Sequence, residues 1–306
     1  MTNVQKITPN LWFDCQAEEA ATLYTSTFSH SQIGNVVRAG RAGGEITGLS
    51  EGAVMTVEFE LAGYRFIAIN GGPLFKFTPA ISFLVSCDSG EEVDWIWGKL
   101  SQGGVALMEL GSYPFSQHYG WIQDRYGLSW QIMLAGDHGA AQKITPTLMF
   151  VGEQCGRAEA AVELYTSIFH DAATGSIMRY GKGEAPDTEG TIKHAGFTLE
   201  GQSFAAMDSA HQHAFAFSEA ISLMVSCQDQ KEVDYYWDKL KAGGEEGMCG
   251  WLKDRFGVSW QVTPSALGEM LADPDPARVA RVTNVFLKMH KFDIASLKKA
   301  YEPRDA

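Results

Sequence analysis

Residues 121–132 read WIQDRYGLSWQI, and residues 251–262 read WLKDRFGVSWQV. Seven of the twelve positions are identical (Trp, Asp, Arg, Gly, Ser, Trp, Gln), and most of the rest are swaps of like for like. Each copy reads as a polar turn followed by a short strand. A stretch this long occurring twice marks a duplicated unit. KITPNLWF at 6–13 returns as KITPTLMF at 143–150, an offset of 137, and AISFLVSC at 80–87 returns as AISLMVSC at 220–227, an offset of 140. At the opening stretch the offset falls to 130, because GGVALMELGSYPFSQHYGW in repeat one is matched only by GGEEGMCGW in repeat two. The period far exceeds the roughly 20–50 residues of a solenoid, so this is a duplicated domain.

Within repeat one, ITPNLWF reads as a strand, and AEEAATLYTSTF as an amphipathic helix with Ala20, Tyr24 and Phe28 on one stripe. Strand-like runs follow near 33–39, 53–61 and 64–70, the last two joined by an Ala-Gly turn. The pattern then restarts: AISFLVSC is a buried strand, Ser89 and Glu92 form a capping-box pair, and Val93, Ile96, Trp97 and Leu100 stripe a second helix. Short strands end in SWQI. Each repeat thus reads βαβββ twice. Beyond the breaker DPDP, Val279, Val282, Phe286 and Met289 stripe a further helix, and Asp293 reads as the N-cap of a last one. This tail is expected to pack against a domain or the interface between domains.

At 306 residues with 45% hydrophobic and 20% charged content, the chain suits two soluble domains. A net charge of −13 argues against a phosphate-backbone binder. No apolar run approaches a membrane span, and MTNVQKITPN has no signal-peptide core, so a cytoplasmic location is expected. The five cysteines show no CxxC spacing and fit neither a disulfide framework nor a zinc ribbon. Cys87 and Cys227 fall in buried strands and read as small hydrophobes, whereas Cys249, in GMCGW, is the thiol best placed to react.

The paired βαβββ modules, FDCQAEEAATLYTSTF after the first strand and the closing D-R-[YF]-G-x-S-W-Q together resemble one family. The chain is similar to tandem PhnB-like proteins of the vicinal oxygen chelate superfamily, the glyoxalase/bleomycin-resistance/dioxygenase group. That resemblance implies an α+β fold: a PhnB-like domain over residues 1–138, a shortened second one over 139–264, and a C-terminal helical extension over 265–306. It also implies that the two domains form an intramolecular pseudo-dimer, because two cup domains commonly associate in relatives. Relatives often bear a ubiquinone-pathway methyltransferase label. The sequence gives methyl transfer no support, since the Gly cluster RAGRAGGE at 38–45 reads as a hairpin loop, not a cofactor cradle.

Metal-dependent members of the superfamily hold a divalent ion with His and Glu on the inner strands of a cup. Carried over by position, those ligands fall near Thr8 and Thr145, at Ala80 and Ala220, on Gln131 and Gln261, and near Asn70 and Asp208. Neutral donors offer no charge to offset stripping water from a divalent ion, so no metal is favoured. Thr8, Trp12, Asn70, Gln131, Thr145, Asp208 and Gln261 are instead candidates for binding a small ligand, with both Gln residues open to a scaffold role. Trp12, Trp121, Trp130, Trp251 and Trp260 read as core or cup wall. In repeat two, Asp208, His211, His213 and Glu219, with His194 on an earlier strand, offer an alternative site for Zn, Ni, Fe or Mn. Glu109 and His118, in the long loop of repeat one with Tyr113, Phe115 and Tyr119, are candidate catalytic residues for metal-free general-base work. The favoured function is a metal-free, cup-shaped small-molecule binder with no nucleic-acid or membrane partner. The alternative is a metal-dependent lyase, isomerase or dioxygenase of the same superfamily, and a ligand-sensing regulator is a third.

Overall fold

A computed structural model describes residues 5–39, 50–136 and 142–302. Most of the Gly cluster expected to form a hairpin loop lies outside them. The chain forms four βαβββ modules. The first holds β1 (Ile7–Phe13), α1 (Ala17–Thr27), β2 (Gln32–Arg38), β3 (Val54–Leu61) and β4 (Tyr64–Asn70). The second holds β5 (Ile81–Cys87), α2 (Gly90–Leu100), β6 (Val105–Tyr113), β7 (Ser116–Gln123) and β8 (Ser129–Leu134). The third comprises β9 (Ile144–Val151), α3 (Ala158–Ile168), β10 (Ala173–Arg179), β11 (Ile192–Leu199) and β12 (Gln202–Ser209). The fourth comprises β13 (Ile221–Cys227), α4 (Gln230–Lys241), β14 (Glu245–Glu246), β15 (Trp251–Lys253) and β16 (Ser259–Pro264). Helices α5 (Ser265–Leu271), α6 (Pro276–Phe286) and α7 (Ile294–Tyr301) form the tail.

The modules pair into two eight-stranded sheets that do not follow the repeat boundaries. Sheet A runs β14-β15-β16-β13-β1-β4-β3-β2 and sheet B runs β10-β11-β12-β9-β5-β8-β7-β6. Module one therefore joins module four through β1 and β13, antiparallel from Ile7 opposite Val225 to Leu11 opposite Ile221. Module two joins module three through β5 and β9 in the same manner. The core runs the other way, within each repeat. In repeat one Phe66 of sheet A meets Phe83 of sheet B with ring centroids 5.1 Å apart, and Tyr24 on α1 packs on Trp130 at 5.2 Å. Tyr165 packs on Trp260 at 5.3 Å in repeat two. Each repeat thus shares a core while each sheet is shared between repeats, an intramolecular pseudo-dimer.

Local chemistry explains the elements. Ser89 caps α2 through the Glu92 amide while the Glu92 carboxylate accepts from the Asp88 amide, the expected capping box reaching back one residue further. Asp293 caps α7 by accepting from the Ser296 amide. Strand alternation is strict on β1: Ile7, Leu11 and Phe13 enter the core, and Thr8, Asn10 and Trp12 take the opposite, helix-free face.

The tail replaces what repeat two lost. In repeat one, the long β6 pairs with β7 out to Tyr113 opposite Ser116. Repeat two has only two residues in β14, and there the Cys249 and Gly250 amides donate to the carbonyls of Met289 and His290, between α6 and α7. Phe292 then packs against Gly250, where an added Cβ would stand 2.4 Å from its ring, with φ of +78° besides. Gly120 meets Trp97 at the same distance in repeat one. Truncating the buried Phe292 to Ala is expected to cost roughly 3 kcal/mol or more, the low end for core Phe truncations, and to speed labelling of Cys249. An unchanged denaturation midpoint would show the strap to be passive.

Candidate functional site

The helix-free face of each sheet carries a polar floor. Across sheet A, Asn10, Ser222 and Ser259 form one row on β1, β13 and β16, and Thr8, Met224 and Gln261 form the next. Thr147, Ser82 and Ser129 make the matching row in sheet B, followed by Thr145, Leu84 and Gln131. Sheet A curls enough that Trp12 on β1 meets Trp251 on β15, two strands beyond β13, edge to face at 6.1 Å. Its face is therefore a cup, with Phe75 against Trp12 at 5.0 Å.

The two floors differ in how they are satisfied. In sheet B, Gln131 donates to Ser82 Oγ at 2.8 Å, and its Oε1 accepts from the Tyr119 hydroxyl at 2.8 Å. The Trp121 indole donates to Ser129 Oγ at 2.7 Å, and Thr147 donates to the Thr145 carbonyl at 3.4 Å. Gln131 is thus held within the floor, in keeping with a scaffold role. In sheet A, Gln261 donates to Ser222 Oγ at 2.8 Å, but no donor among the described residues reaches its Oε1. Cys249 stands where repeat one has Tyr119, and Trp251 leans onto Trp12 instead of reaching Ser259. Asn10 Oδ1 and Ser259 Oγ are buried without a hydrogen-bond partner.

Asn70 and Asp208, candidates for binding a ligand, face the other way. Asn70 Oδ1 accepts from the Ala17 amide at the start of α1, and its amide donates to Val54. Asp208 accepts from the amides of Gly156, Ala158 and Ile192. Both hold helix starts on the core side, and burial raises the Asp208 carboxyl despite these bonds. Ala80 and Ala220 are fully buried.

Nor do the four residues of the alternative metal site converge. His211 sits 3.6 Å from Asp187, His213 Nε2 is 2.8 Å from Ser209 Oγ, and Glu219 pairs with Lys253 at 2.5 Å. Among the described residues no three His, Cys, Asp or Glu side chains group closely enough for an ion. His211 and His213 instead line an open cleft with Gly152, Cys155, Ala210 and Gln212. His194 lies on β11, opposite Met178, and burial lowers its pKa. The structure does not bring Glu109 and His118 together. His118 Nε2 lies 3.1 Å from Asp94 on α2, whereas the Glu109 side chain is exposed and has no hydrogen bond or ion pair among the described residues, its carbonyl accepting from the Tyr113 hydroxyl. Tyr113 and Phe115 cluster on Tyr119 at 5.6 and 4.9 Å. Cys249, expected to react, is raised by burial beneath the strap, and the Cys87 and Cys227 thiols are pushed up to about 12.

Sequence reasoning passed over Asn10, Ser222 and Ser259. The signal was the alternation in ITPNLWF and ISLMVSC, which places Asn10 and Ser222 on the face of Thr8 and Trp12.

Four βαβββ modules, paired edge to edge with a cup on the helix-free face, define a member of the vicinal oxygen chelate, or glyoxalase-like, superfamily. The model of the 3-demethylubiquinone-9 3-methyltransferase family matches twice, over residues 5–133 and 142–263, and the chain belongs to this PhnB-like family. The PhnB protein of Bacillus cereus is 45% identical over 43% of this chain and 100% of its own, with a TM-score of 0.40. A glyoxalase I mutant from Zea mays is similar in fold over 85% of this chain and 95% of its own, at 10% identity and a TM-score of 0.52. No curated protein matches. No helix among the described residues is long and apolar enough to cross a membrane.

The residues facing the floors do not fit the divalent ion that chelating superfamily members hold. Thr8, Asn10, Ser222, Ser259 and Gln261 in one cup, and Thr145, Thr147, Ser82, Ser129 and Gln131 in the other, are all neutral donors. His194 adds an imidazole on β11 and His213 another beside Ser209, but among the described residues no three ligating side chains group closely enough to make a site.

Proposed function

We propose that the chain is a metal-independent small-molecule-binding protein of the glyoxalase/bleomycin-resistance type, taking an apolar or aromatic ligand into a cup. The observation that carries this is the neutral floor: hydroxyls and carboxamides can orient a ligand, but they cannot compensate the dehydration of a divalent ion. Trp12, Trp251, Phe75 and Met224 supply the apolar wall. Methyl transfer, named by the family's label, finds no doubly wound parallel sheet here, since both sheets mix parallel with antiparallel neighbours.

Elemental analysis of protein purified without a His-tag and without chelators tests the reading. Below about a tenth of an equivalent of Zn, Ni, Fe or Mn per chain is expected, and no gain of structure on reloading. About one tightly held equivalent would overturn it in favour of a lyase, isomerase or dioxygenase.

A further inference from the structure

We infer that only the cup of sheet A binds ligand, one per chain, and that this ligand is a neutral aromatic molecule carrying an O–H or N–H donor. The inference rests on the small-molecule reading above and names its site and ligand class. The two cups descend from one repeat and present the same residues at three of the four key floor positions: Ser222, Ser259 and Gln261 in sheet A match Ser82, Ser129 and Gln131 in sheet B. Yet sheet B uses its own side chains to complete the floor. Tyr119 fills the acceptor of Gln131, and Trp121 fills that of Ser129. Such a floor already has donors on the acceptors of Gln131, Ser82 and Ser129. Sheet A has lost both plugs: Cys249 replaces the tyrosine, and Trp251 turns to Trp12.

What is left in the floor is a set of unmet polar atoms, two of them buried. Asn10 is 7% exposed, lies on the helix-free face, and its Oδ1 has no partner. Ser259, at 1% exposed, is likewise unpartnered, and Gln261 Oε1 accepts from no described residue. A buried unmade hydrogen bond is costly, and a fold keeps one where a ligand completes it. Two carbonyl oxygens call for a donor on the ligand. Lys253, opposite Ser259, pairs with Glu219, and Glu58, in line with Asn10 across β4, pairs with Arg65, so each carries a counter-ion of its own. The ligand is therefore neutral. Trp12 and Trp251 supply ring faces and edges above the floor, which suits an aromatic body.

The test is calorimetric titration of the full chain with β-naphthol and with its methyl ether, which keeps the ring and removes the donor. Naphthol is expected to bind at one per chain and the ether about ten-fold more weakly, the cost of leaving buried acceptors unmet. Asn10→Leu and Ser259→Ala are expected to erase that preference while raising the melting temperature of the free protein, since each removes an unmet polar atom. Thr147→Val, in the floor of sheet B, should leave naphthol binding unchanged. Equal binding of the two compounds overturns the donor requirement, and a preference that survives both Asn10→Leu and Ser259→Ala overturns the site, while the metal-free reading stands on its own metal analysis. Two naphthols per chain, or loss of binding in Thr147→Val, overturns the one-cup assignment. Failure of both compounds to bind overturns the ligand class.

Discussion

Asp254→Ala is expected to destabilise the chain by roughly 3–5 kcal/mol, and Asp124→Ala by a similar amount, because each strands four donors at once, most of them buried. Asp254 accepts from the Tyr165 hydroxyl at 2.6 Å, the Trp260 indole at 2.9 Å, and the amides of Phe256 and Val258. Asp124 accepts from Tyr24, Trp130, Tyr126 and Leu128 in the same arrangement. One carboxylate thus closes the turn, anchors the last strand through its tryptophan, and ties the first helix of the repeat to its last module. Urea denaturation gives the answer, and a loss under about 1 kcal/mol would mean that water replaces the carboxylate. Burial raises both carboxyls above their ordinary range, while the hydrogen bonds pull them down. A raised folded pKa means that this group's contribution is full below about 3.9 and is lost as pH rises through the folded value. Wild-type stability relative to Asp124→Asn is therefore expected to improve on acidification across that window.

This pair of aspartates answers why the opening stretch occurs twice. The opening stretch reads as a polar turn before a strand, and the turn is there, with Asp124 holding the amides of Tyr126 and Leu128. The longer bond to Tyr24, a hundred residues away, could not be read from spacing, because nothing local marks which side chain meets a buried carboxylate. The four βαβββ modules were legible, since periodicity and turn residues are local signals. Sheet pairing was not. β1 is compatible with β5 or with β13, because ISFLVSC and ISLMVSC are nearly the same strand, and only the packing of both repeats together selects between them. Site residues divided along the same line. Thr8 and Gln261 fell on the cup because strand alternation is strict, whereas Asn70 and Asp208 sat one residue out of phase and turned to the core. The open floor of sheet A was invisible for a different reason. It arises from three changes far apart in sequence, at Asn10, Cys249 and the shortened β14, that converge only in the fold.

Residues 1–136 expressed alone are expected to form a homodimer, not a folded monomer. Alone, that segment keeps its shared core, including Phe66 on Phe83 and Tyr24 on Trp130. It loses the strand beside β1 and the strand beside β5, two edges that lie at the centres of eight-stranded sheets in the full chain. Central strands have no edge protection: Ile7, Leu11, Phe83 and Val85 are buried, and no charge or proline kink blunts β5. A second copy supplies the missing strand in the same register, because its β5 stands for β13 and its β1 stands for β9. Light scattering coupled to size exclusion decides the matter. Twice the mass of the segment is expected at micromolar concentration, with stability that rises with concentration as two-subunit folding requires. A monomer as stable as the full chain would mean that each repeat's core suffices and that sharing the sheets contributes nothing to the fold.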